Sequence, residues 1–141
     1  MLNVGDPSRT PTQSGGWPAF WLCLLLHMLF PLLPLGFELL LTGQITDTAA
    51  VLVASTYTIT IAITSKGRYS QVFTVVGFFC CVVFAAIYGS IASASPTSAS
   101  YGVFFWAAVI TIVAFFVVHA GERYNRHVEN NEPYDVFQAS E

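Results

Sequence analysis

Residues 57–64 read Tyr57-Thr58-Ile59-Thr60-Ile61-Ala62-Ile63-Thr64, and the reading of this stretch decides the fold. Its period of two would signal a half-buried strand in water. The surrounding residues change the answer. The stretch belongs to an apolar run, 45–65, which is one of four; the others are 17–41, 69–94 and 102–120. At 1.5 Å per residue, runs of about 19–26 residues are long enough to cross a hydrocarbon layer of about 30 Å. A lone strand in lipid leaves its backbone groups unpaired, at several kcal/mol each. A helix satisfies its own backbone, and threonine hydroxyls can bond back to i−4 carbonyls. The stretch is therefore read as helix. On a helical wheel Thr56, Thr60 and Thr64 form one stripe, and Ser55, Thr58 and Ala62 lie nearly opposite. Small polar groups on both sides predict a helix buried between neighbours.

Composition agrees with a membrane protein. Hydrophobic residues make up 55% of the 141 residues and charged residues 9%, against about 25% charged in soluble domains. Five Lys+Arg and a net charge of −3 exclude nucleic-acid binding. The run 17–41 is too long for the apolar core of a signal peptide, about 7–15 residues, and is read as a retained first span. Cys23, Cys80 and Cys81 lie inside apolar runs and are expected to act as small hydrophobes at helix contacts.

The connectors 42–44, 66–68 and 95–101 are short. Tight links place consecutive helices antiparallel and adjacent. The expected fold is an all-α membrane protein, a four-transmembrane-helix up-down bundle. Arg9, Lys66, Arg68, Arg123 and Arg126 all fall on one side of such a bundle. By the positive-inside rule that side is cytoplasmic, so both termini are read as cytoplasmic. Residues 1–16 are read as a flexible cytoplasmic tail, 17–120 as the transmembrane domain, and 121–141 as an acidic cytoplasmic tail.

Two sets of residues stand out within the spans. His27, Pro31, Pro34 and Glu38 recur at i, i+4, i+7 and i+11, one face of a helix that the prolines would kink. An ionisable group inside a span is a functional hypothesis. With Thr56, Thr60 and Thr64, this face is a candidate pathway for ions or protons. The bland alternative has the prolines shaping the helix and Glu38 reaching the outer interface. Gly77, Cys81, Ala85, Gly89 and Ser93 place a small residue at every fourth position, a surface for close helix packing. Its partner is either the second span or another protomer. His119 is expected at the inner interface.

Residues 121–127 are expected to continue the fourth helix. Glu129, Glu132, Asp135 and Glu141 then make the tail acidic, a candidate docking segment for a cytoplasmic partner. Tyr134-Asp135-Val136-Phe137 fits a loose tyrosine-based sorting pattern. No nucleotide, metal or nucleophile motif occurs, so neither catalysis, a metal nor a cofactor is expected. The expected function is that of a non-enzymatic small polytopic membrane protein. It would act by homo- or hetero-oligomeric assembly, as a subunit or effector of a membrane complex. Alternatives are a homo-oligomeric ion channel or pore, such as a membrane-depolarising effector in bacterial defence or toxicity, and a small dimeric transporter. Few cysteines and short loops point to a bacterial inner membrane. Expected partners are the lipid bilayer and other membrane helices.

Overall fold

The computed structural model describes residues 16–66, 69–93 and 102–130. Four helices account for nearly all of them: Trp17–Thr42, Asp47–Thr64, Ser70–Ser93 and Gly102–Glu129. No strand occurs among the described residues. Each helix is long and apolar enough to cross a membrane, as an integral membrane protein requires.

The stretch 57–64 is helical, and its hydroxyls turn back onto their own helix. Thr56 donates to the Leu52 and Val53 carbonyls, Thr58 to Ser55, Thr60 to Thr56 and Thr64 to Ile61. Threonine thus reaches lipid depth with no unpaired donor.

The first helix is irregular for a reason visible in its sequence. An α segment, Trp17–Cys23, leads into a π turn, Leu24–Leu29, a 3-10 turn, Phe30–Leu32, and an α segment, Leu33–Thr42. Pro31 cannot donate to the carbonyl of His27, and its ring clashes with that group. The backbone widens just before it, and the Phe30 N–H bonds to the Leu25 carbonyl five residues back. The helix ends at Gly43, whose φ of 74° supplies the left-handed turn.

The second helix is the centre of the molecule. Ala50, Val51, Ala54, Tyr57, Thr58, Ile61 and Ala62 are fully buried. Half of its most apolar stretch is buried, against 11% to 22% for the other three helices. The expectation that this helix sits between neighbours is borne out. The third helix packs along it most extensively, the fourth next, and the first touches it through its π and 3-10 turns and the segment Leu33–Thr42. The third and fourth helices pack chiefly on the second rather than on each other, although the rings of Phe73 and Phe115 meet at 4.8 Å. Adjacency of all consecutive helices is therefore only partly realised, because the small buried face of the second helix accepts neighbours on two sides.

Trp17, Phe20 and Tyr124 form a ring cluster with centroids 6.0 Å apart. This cluster ties the start of the first helix to the end of the fourth. Leu40, Leu41, Val72, Phe79, Val103 and Ile110 are among many large apolar side chains left outside, a surface suited to hydrocarbon.

Candidate functional site

The densest polar cluster lies where the fourth helix passes the end of the second. The second helix stops at Thr64 and leaves carbonyls without intrahelical partners. Arg123 is buried and donates one guanidinium N–H to the Thr64 carbonyl at 2.5 Å. A cation at a helix C-terminus also meets the negative end of the helix dipole. Its Nε donates to His119 Nε2 at 3.1 Å. Because Nε2 accepts, a neutral His119 carries its proton on Nδ1. That nitrogen lies 3.4 Å from Glu122 Oε2. The same carboxylate accepts from the Ser65 hydroxyl at 2.6 Å and from the Lys66 backbone N–H at 2.8 Å.

His119, Glu122 and Arg123 thus form a clamp. Their i, i+3, i+4 spacing puts them on one helical face, and that face grips the last turn of the second helix and the residues after it. His119 is fully buried within the chain, and Arg123 holds it from the next turn. The expected helical continuation beyond residue 120 is present, and it runs to Glu129 with a π turn, Asn125–Glu129. His127 in that turn is buried, and the turn packs on the first helix.

The first-helix residues separate. His27 lies in the π turn Leu24–Leu29. Glu38 sits at the opposite end. It accepts from the Thr46 hydroxyl at 2.8 Å and the Thr46 N–H at 3.3 Å. Thr46 in turn caps the second helix by accepting from the Ala49 N–H. Glu38 therefore fastens a helix start, much as a capping-box glutamate does within one helix. Pro34 and Thr56 are exposed on the single chain, and Pro31, Thr60 and Thr64 are half-buried.

The small-residue stripe also divides. Gly77 is buried at the crossing with the second helix. A Cβ there would overlap the Ala62 methyl and stand 2.8 Å from the Thr58 carbonyl oxygen. Cys81 accepts from Ser55 Oγ through its carbonyl at 3.0 Å, and Thr74 donates to the Ala62 carbonyl at 3.2 Å. Ala85, Gly89 and Ser93 are exposed, and Gly89 has open space beside it.

Among the described residues no three His, Cys, Asp or Glu side chains converge to hold a metal. The segment 131–141, with the Tyr134–Phe137 pattern, lies outside the described residues, as does 1–15. No protein-family model, curated protein or solved structure matches the chain.

Proposed function

We propose that the protein is a non-enzymatic, small polytopic membrane subunit or effector that acts by assembling with copies of itself or with other membrane helices. The reading is supported chiefly by the third helix. Only 11% of its most apolar stretch is buried, although Gly77 and Cys81 are already used against the second helix. Ala85, Gly89 and Ser93 remain outside, at a spacing that lets another backbone approach closely. Helix association in lipid draws on such close packing, not on removing apolar surface from water.

The basic residues favour cytoplasmic termini, and the same reading takes a bacterial inner (plasma) membrane as the home of the complex. The test is the mass of the full chain in nanodiscs. A defined oligomer or a stable hetero-complex is expected, and Gly89→Leu should dissociate it while the fold survives. A wild-type chain that is monomeric and without a partner in its native membrane would overturn the proposal.

A pore reading keeps one favourable observation. Pro34 and Thr56 face outward, so a pathway through them would run between chains and require the oligomer. Currents lost with Gly89→Leu would support that reading.

A further inference from the structure

The fourth helix ends at Glu129, and residues 131–141 continue from that end. They hold Tyr134, Val136 and Phe137, three carboxylates in Glu132, Asp135 and Glu141, and neither Lys nor Arg. Beside the same end, a cleft of about 270 Å³ opens between the start of the third helix and the last turns of the fourth. Ser65, Tyr69 and Phe73 line it on one side, and Val118, Glu122 and Arg126 on the other.

Size and charge both bear on the occupant. Small-molecule pockets run to about 300–1,000 Å³, so this cleft is scaled to a few side chains. Inside it, Glu122 and Arg126 carry opposite charges, and Tyr69, Phe73 and Val118 supply apolar wall. The interior therefore has no net charge to select an anion. The rim differs. Lys66 and Arg68 stand in the connector between Ser65 and Tyr69, with Gly67 as their only companion, and Lys66 is exposed. An occupant that fits both parts carries apolar side chains flanked by carboxylates.

The segment after the fourth helix has that composition and the necessary reach. From Asn130 back to Val118 is about 18 Å at helical rise. Seven extended residues, from Asn130 to Phe137, span up to about 23 Å, and four, to Tyr134, about 13 Å. Segment and cleft belong to one chain, so each meets the other at an effective concentration of order millimolar, where weak contacts suffice. We propose that residues 131–141 fold back and dock in this cleft. Tyr134 and Phe137 lie against Tyr69, Phe73 and Val118, and Glu132 and Asp135 face Lys66 and Arg68. Any partner that takes the segment must first displace it from its own chain.

The test is photocrosslinking of the full chain in nanodiscs, with benzoylphenylalanine in place of Phe137. Isotope-labelled and unlabelled chains are mixed, so that mass spectrometry separates crosslinks within a chain from those between chains. Crosslinks should fall on Tyr69, Phe73 or Val118 of the same chain. Val118→Trp fills the apolar end from an exposed position and should abolish them. Lys66→Glu combined with Arg68→Glu keeps the Lys66 backbone N–H that Glu122 accepts. It should lower the yield about fivefold at low ionic strength, the worth of two exposed charge pairs, and by less in high salt. Crosslinks confined to lipid, to a second copy or to a different protein would overturn the proposal. So would a yield that survives Val118→Trp or the double charge reversal unchanged.

Discussion

The second and third helices lie against each other and have opposite characters. The most apolar stretch of the second has a mean hydropathy of 1.3 and is 50% buried; that of the third has 2.4 and is 11% buried. In a soluble protein the more apolar helix would be the more buried one. In hydrocarbon, lipid tails compete equally for apolar side chains, so helices associate through small residues, close packing and hydrogen bonds. The second helix offers Ala50, Ala54, Ser55, Thr58 and Ala62 to its neighbours. The third keeps Val72, Val75, Phe78 and Phe79 outside and buries only Gly77 and Phe84.

The contrast can be broken most severely at Gly77. Gly77→Leu should cost about 3 kcal/mol, the upper end for overpacking, read as a lowered unfolding midpoint in mixed micelles. Next, Arg123→Ala would leave His119 Nε2 and the Thr64 carbonyl without their donor. About 2 kcal/mol is expected for such buried acceptors, with faster hydrogen exchange at Ser65 and Lys66 as the local signature. Ser55→Ala removes one interhelical hydrogen bond, to the Cys81 carbonyl, and should cost about 0.6 kcal/mol, the average for such bonds within membranes. Gly89→Ala, on the exposed half of the same stripe, should change the stability of the single chain by less than about 0.5 kcal/mol. A Gly89→Ala loss as large as that of Gly77→Leu would show that the whole stripe is buried in one chain.

The helices were legible in the sequence because length and apolarity are local properties. The runs 17–41, 45–65 and 69–94 end within two residues of the helices Trp17–Thr42, Asp47–Thr64 and Ser70–Ser93. The helical continuation expected over 121–127 is present and extends to Glu129, but in the sequence Glu122 and Arg123 look like an exit into water. Their partners lie more than fifty residues earlier in the chain, and only their shared face with His119 hinted at the clamp. The face of His27, Pro31, Pro34 and Glu38 was drawn with regular helical arithmetic. The π and 3-10 turns at Leu24–Leu32 shift that register, and Glu38 is taken up by Thr46 at the start of the second helix. The alternation in 57–64 misleads for a related reason: threonine bonded to its own helix costs little in lipid, so period two carries no strand signal there.

The central claim is that the least apolar helix is the one shielded from lipid. Photolabelling in proteoliposomes with a diazirine-bearing acyl chain, mapped residue by residue, tests it directly. The account predicts dense labelling of the third helix at Val72, Val75, Phe78, Phe79 and Val82. Labelling of the second should be confined to an outer stripe at Leu52, Thr56 and Ile63. Labelling of Val51, Ala54, Thr58 and Ile61 at the same density as the third helix would contradict it.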